Sequence, residues 1–153
     1  MEKNKKVLWL PQHTPTPEQL KELEERGTIE YLKEVSPKLF GKLANSPSSL
    51  KELSDLADEL YTLCQKYYTV VLPIGSPAFN FLFASMYNTL GEAKMAGYHR
   101  NFVCAFAHSE RISFDNPDGT KTVRFEHTKF IYLWFHKGKL NPVSLNWDTG
   151  FFP

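Results

Sequence analysis

Residues 7–23, VLWLPQHTPTPEQLKEL, carry an apolar run directly into a Pro, Gln, His and Thr cluster and from there into a helix. Val7 to Leu10 is apolar without alternation, as suits a central parallel strand covered on both faces. Thr16-Pro17-Glu18-Gln19 spells a capping box with proline at the first helical position, and Leu20 and Leu23 follow at helical spacing. The helix is expected from Pro17 to near Gly27. A strand delivered onto a helix N-terminus leaves backbone N–H groups unpaired at the junction, and such groups attract negative charge.

The same design recurs at residues 69–83, TVVLPIGSPAFNFLF. Here a strand ends about Pro73, Gly75 permits an unusual backbone angle, Ser76 is placed as the N-cap and Pro77 opens the helix. Between the two junctions, TIEYLKEV (residues 28–35) reads as a short strand, and SPKLFGKLANSPSS, broken by Pro37, Gly41 and Pro47, reads as a loop with at most a helical turn. Ser49-Leu50-Lys51-Glu52 is a second capping box. It opens a helix whose stripe runs Leu50, Leu53, Leu56, Ala57, Leu60, Tyr61, Cys64 and Tyr67. The aromatic residues after the second junction are expected in the core.

Beyond these lies NFVCAFAHS (residues 101–109), a fourth buried strand. ERISFDNPDGTKTVRFEHTKFIYLWF then alternates on both sides of Asp118-Gly119, the mark of a hairpin. The order predicts an α/β fold: a three-layer sandwich with a mainly parallel sheet first and a C-terminal antiparallel hairpin afterwards. One domain is expected over residues 1–136, with residues 137–153 as a C-terminal extension that folds back over the domain or over a partner subunit. In open sheets of this kind ligands bind beyond the carboxyl ends of the strands, which puts both junctions on one rim.

Composition narrows the function classes. With 18 Lys and Arg against 17 Asp and Glu, the net charge of +1 supplies no long-range field to gather duplex nucleic acid or an anionic membrane. The N-terminal apolar run is too short for a signal peptide or a spanning helix, so a cytoplasmic protein is expected. Cys64 and Cys104 form no CxxC pair and are expected as buried thiols. The sequence has neither GxxxxGK[ST] nor GxGxxG, and neither HExxH nor GxSxG.

Three clusters carry candidate chemistry. Gln12, His13 and Thr14 follow the first strand, where a histidine can meet phosphate or move protons, the structural alternative being a hydrogen bond within its own loop. Gly75, Ser76 and Asn80 open the second junction, whose amides can cradle a phosphate or serve simply as a capped helix start. Ser109, Glu110 and Arg111, after His108 at the end of the fourth strand, offer a hydroxyl, an acid and a guanidinium for ribose and phosphate. Arg124 and His127, three apart on the return strand, fall on opposite faces if that strand is regular.

HTPTPEQ, GSPAFNFLF, SER and DGTKTVRFEHTKF, in that order, resemble the small CRISPR-associated ring nucleases, stand-alone relatives of the CRISPR-associated Rossmann-fold sensor domain. The closest likeness is to a subfamily with an SHxLTxxQ start and an ERK…DGxxKKVxxFxHxxFR finish, over roughly residues 7 to 135. The resemblance implies a Rossmann-like fold, a homodimer and a cyclic oligoadenylate substrate, usually the tetramer. It implies metal-independent opening of the ring by a ribose 2′-hydroxyl, without cofactor, which silences CRISPR ancillary effectors.

Transferred by position, His13 and Thr14 match the start, although Gln12 replaces its Ser and Pro15 its apolar residue. Gly75 and Ser76 fall in the phosphate loop, Glu110 and Arg111 match ER, and His127 matches FxH. His13, Ser76 and Arg111 are the expected catalytic residues. Gln12, Thr14, Gly75, Asn80, Ser109, Glu110, Arg124 and His127 are the expected substrate contacts. Ile112 and Ile131 stand where the subfamily has Lys and Arg, which weakens the case for turnover more than the case for binding. The alternatives are a non-catalytic cyclic-nucleotide sensor or sponge, and a structural protein-interaction domain.

Overall fold

The structure, a computed structural model, describes residues 5–96, 102–136 and 139–142, with side chains for 5–86 and 102–133. Six strands form one sheet: β1 (Lys6–Trp9), β2 (Thr28–Tyr31), β3 (Thr69–Leu72), β4 (Val103–Asp115), β5 (Lys121–His136) and β6 (Lys139–Pro142). Five helices join them: α1 (Pro17–Glu24), α2 (Leu32–Val35), α3 (Pro37–Ala44), α4 (Leu50–Cys64) and α5 (Pro77–Ala96). The strand order is β2-β1-β3-β4-β5-β6, parallel from β2 through β4 and antiparallel from β4 to β6. This is the mixed α/β sheet with an antiparallel end that the sequence predicts.

Alternation along β1 divides the core. Val7 and Trp9 face α1 and pack with Leu23, Val71, Ala105 and Phe130. Leu8 and Leu10 face the other way, into a larger cluster built from α2, α3, α4 and α5. Thus helices cover both faces, and strands buried on both sides are apolar without alternation. Phe79, Phe83 and Phe102 stack in series against Tyr61 within the larger cluster. Cys64 and Cys104 are buried free thiols, and burial pushes the Cys64 thiol well up.

Local chemistry sets the helix starts. Thr16 Oγ1 accepts from the Gln19 amide at 3.2 Å while Gln19 Oε1 accepts from the Thr16 amide at 3.0 Å, the reciprocal pair expected of a capping box. At α4 only half of that box forms, Ser49 Oγ accepting from the Glu52 amide. Leu50, at the first helical position, is 72% exposed and lies outside the stripe, whereas Leu53, Leu56, Ala57, Leu60, Tyr61, Cys64 and Tyr67 are buried. Phe81, 80% exposed, is the one aromatic of Phe79, Phe81 and Phe83 outside the core.

Three elements differ from the sequence reading. Residues 28–35 split into β2 and the short α2, because Leu32 turns inward to full burial. The segment read as a loop contains α3, in which Pro37 is a helix starter and Leu39 and Leu43 bury themselves in the larger cluster. The fourth strand does not end near Ser109; it continues to Asp115 because β5 pairs with it along its whole length. Its turn is the expected one, Gly119 taking φ of +86° and Asp118 Oδ1 accepting from the Thr120 amide. From the C-terminal extension, residues 139–142 add an edge strand to β5, and residues 137–138 and 143–153 lie outside the described residues. Among the described residues no helix is long and apolar enough to cross a membrane.

Candidate functional site

The chain leaves β1 to form β2 on one side and β3 on the other, so the strand order reverses between β1 and β3. A crevice beyond the carboxyl ends of such a pair is where open α/β sheets take their ligands. Both junctions singled out in the sequence flank it: residues 10–16 follow β1, and residues 73–77 follow β3.

The first junction is anchored from below. Buried Trp9 donates its indole N–H to the His13 carbonyl at 2.8 Å, and the Leu10 amide continues the β1–β3 ladder to the Val71 carbonyl. Gln12, His13 and Thr14 are exposed, His13 standing edge-on to Trp9 with ring centroids 5.3 Å apart. Nδ1 of His13 lies 3.1 Å from the Thr14 carbonyl, so a proton on Nδ1 leaves Nε2 as an outward acceptor. The cavity beneath this loop holds about 10 Å³ between Gln12 and His13 on one side and Tyr31, Lys33 and Phe40 on the other. That is room for about one water. A ligand must therefore lie across the rim.

The second junction is a preformed turn. Gly75 takes φ of +67°, and a Cβ there would sit 3.3 Å from both the Leu43 carbonyl and Ser46 Oγ, so α3 and its following loop close against it. Ser76 Oγ caps α5 by accepting from the Phe79 amide at 3.2 Å. The Ala78 amide has no partner among the described residues and remains available to an anion. Asn80 is spent internally: its Oδ1 accepts from the Ile74 amide, and its Nδ2 donates to the Ile74 and Ser76 carbonyls. It shapes the loop and has no donor left for a ligand.

The third cluster is divided by the strand it lies on. Past Phe106, the last residue paired with β3, β4 and β5 continue as a two-stranded arm beyond the rim. Ser109 and Arg111 alternate with Ala105 and Ala107 towards the α1 face, whereas His108 and Glu110 point to the other. Glu110 is paired across the ladder with Glu126, and Arg124 offsets that like-charge contact by bridging to Glu126 while lying 4.7 Å over the Phe114 ring. Arg124 and Glu110 thus belong to one face of the arm, and Ser109, Arg111 and His127 to the other, with Arg124 and His127 opposed as their spacing predicts.

His127 sits directly opposite Ser109, its side chain only 6% exposed, with Nε2 3.0 Å from Glu22 Oε1. A shift of register makes Thr128 the extra residue of a bulge, and Thr128 Oγ1 donates to the His108 carbonyl. The bulge turns both His127 and Phe130, otherwise on opposite faces, towards α1. Glu22 went unnoticed in the sequence as one acid among many on a helix surface; nothing local marks a partner 105 residues away.

Among the described residues the larger hollows lie elsewhere. One of about 600 Å³ follows the outer edge of β2, past Lys5, Gly27 and Thr28. Another of about 390 Å³ between α3 and α4 is lined by Glu52, Asp55 and Glu59 with Lys42, a poor electrostatic match for phosphate. No group of three or more His, Cys, Asp or Glu that could hold a metal occurs among the described residues. No protein-family model, no curated protein and no solved structure matches this chain.

Proposed function

We propose that this chain is a cytoplasmic, Rossmann-like ring nuclease that binds cyclic oligoadenylate, the tetramer foremost, across the carboxyl rims of a homodimer and opens it without metal. The observation that carries this reading is the pair of capped strand-to-helix junctions on either side of the β1/β3 reversal. The motif resemblance supplies the ligand. An open rim suits half of a symmetric ring better than it suits a buried mononucleotide.

In this reading the Ala78 amide at the start of α5, unpartnered among the described residues, and the Arg111 guanidinium hold a phosphate and offset the charge of the pentacoordinate phosphorus. Gln12, His13 and Thr14 align the ribose next to it, with Ser109 and His127 on the α1 side of the arm. Alignment of the 2′-hydroxyl with the departing 5′-oxygen accounts for much of the rate in such a reaction. Asn80 acts through the loop it closes, and Glu110 and Arg124 act on the arm's other face.

The sensor or sponge reading rests on Ile112 and Ile131 in place of basic residues. Both alternate with Phe106 or pair with it, on the face away from Ser109, Arg111 and His127. Their substitution leaves that polar face intact, which favours turnover over a sponge. Incubation of the pure protein with cyclic tetra-adenylate in EDTA tests the proposal: linear products ending in 2′,3′-cyclic phosphate are expected. An intact ring after prolonged exposure to excess protein overturns it. Tight retention of that intact ring selects the sponge.

A further inference from the structure

We propose that Glu22 is a positioning residue that holds His127 with Nδ1 turned to accept the proton of a ribose 2′-hydroxyl. The proposal rests on the ring-nuclease reading above and gives its proton a destination.

Glu22 is itself fixed. Its carboxylate accepts from the Phe130 amide, 3.0 Å from Oε2 and 3.2 Å from Oε1, and from the Tyr132 hydroxyl at 2.8 Å. Burial and this hydrogen bond both push the Tyr132 phenol up, so the hydroxyl stays a donor. With two donors independent of the histidine, the carboxylate does not depend on His127 for its place. A carboxylate only accepts, so the ring nitrogen that faces it, Nε2 at 3.0 Å, carries a proton. In the neutral ring Nδ1 is then the lone-pair nitrogen.

That nitrogen is the one buried side-chain polar atom without a hydrogen-bond partner among the described residues. A structural histidine would have both nitrogens satisfied, since an orphaned polar atom in the interior is costly. The ring is held besides by Phe130, with centroids 4.8 Å apart, and by the bulge that aims both side chains to this face. Ser109 lies directly across the ladder and Arg111 follows it on the same face, a hydroxyl and a cation for the phosphate next to the ribose. In the free chain Nδ1 is covered, and a ligand can reach it only once the side chains around the root of the arm part.

The step balances without a co-reactant. The 2′-oxygen bonds to phosphorus as its proton passes to Nδ1, and the P–O5′ bond breaks. The 5′-oxygen takes a proton from the imidazolium or from water, which leaves a 2′,3′-cyclic phosphate and a 5′-hydroxyl. Glu22 stabilises the imidazolium that forms between these events.

The test is single-turnover opening of cyclic tetra-adenylate by the full chain and its Glu22→Gln variant, with ring affinity measured alongside. Imidazole ¹⁵N spectra provide a separate readout of the tautomer. The amide of the variant can donate to Nε2 and drive the proton to Nδ1. The rate is expected to fall roughly 100-fold, the scale of general-base catalysis, with affinity nearly unchanged and the His127 spectrum shifted towards the Nδ1–H form. Tyr132→Phe, which removes one of the two donors that fix the same carboxylate and leaves the Phe130 amide on it, should slow ring opening much less than Glu22→Gln and leave the His127 tautomer as it is in the original. Should Glu22→Gln fail to fold, the unmutated protein with a cleavage-resistant phosphorothioate ring decides the matter, because its His127 Nδ1 resonance must move on binding. A Glu22→Gln rate and spectrum equal to the original, or an unmoved Nδ1 resonance, overturns the proposal while ring cleavage stands. A parent protein that opens no ring removes the function and this role together.

Discussion

Replacing Asn80 by alanine takes the clasp from the turn that precedes α5. Its side chain holds the Ile74 amide at 3.1 Å, the Ser76 carbonyl at 2.9 Å and the Ile74 carbonyl besides. The Ser76 carbonyl keeps a second partner, the Asn80 amide at 3.1 Å, so it is not orphaned. Ile74 is only 2% exposed, and its N–H and C=O are left unpaired. At roughly 1–3 kcal/mol for each orphaned group, with partial relief from water at the exposed Gly75, the loss is about 2–3 kcal/mol. For a chain of this size that is roughly 5–10 °C in melting temperature. Asn80→Asp should be at least as damaging, because a carboxylate oxygen replaces the donor that faced two carbonyls. The assay is urea unfolding of the three proteins with a common m-value. Variants within about 0.5 kcal/mol of the parent would refute the claim that Asn80 is structural, and would return it to the role of a ligand contact.

Gly75→Ala should cost about 1–2 kcal/mol, since its φ of +67° disfavours a side chain and the new Cβ would press on the Leu43 carbonyl and Ser46 Oγ at 3.3 Å; an unchanged denaturation midpoint counts against that packing. Ser76→Ala should lose about 1 kcal/mol with the cap on the Phe79 amide and slow ring opening as well. His13→Ala, at an exposed side chain, should alter stability by less than about 0.5 kcal/mol yet slow the same single-turnover reaction, and an unaltered rate would remove His13 from the site. Glu30 is held below its ordinary value of 4.5, first by the Tyr67 hydroxyl at 2.6 Å and, against the opposing effect of burial, by Lys6 at 3.2 Å. Its contribution is therefore present above that value and lost as pH falls through the lower folded value. The stability gap between the parent and Glu30→Gln should narrow from about pH 6 to about pH 3, and a constant gap would disprove the linkage.

Features legible in the sequence are those fixed by neighbours within four residues. The Thr16–Gln19 box, the Ser76 cap and the Asp118-Gly119 turn each satisfy backbone groups with a side chain close along the chain, so their residue types announce them. The unbroken apolar runs Val7–Trp9 in β1 and Val70–Leu72 in β3 disclosed a sheet covered on both faces, and with it the rim where the two junctions stand.

Tertiary structure decided the rest. Pro37, Gly41 and Pro47 spoke for a loop, yet burial of Leu39 and Leu43 outweighs their local preference and makes α3 a wall against Gly75. Alternation along β4 divides Ser109 and Arg111 from Glu110, neighbours in sequence that a regular strand separates in space. Glu22 and His127 meet across 105 residues because the sheet brings β5 beside α1 and a bulge turns the ring. The sequence by itself determined where α1, α4 and α5 start, where the β4–β5 hairpin turns and that β1, β3 and the root of β4 are buried, because those depend on short-range hydrogen bonds and on hydropathy period. Which polar groups share a face, which cap is consumed by its own loop and which acid grips the arm depend on strand order and register, which exist only once distant segments have packed.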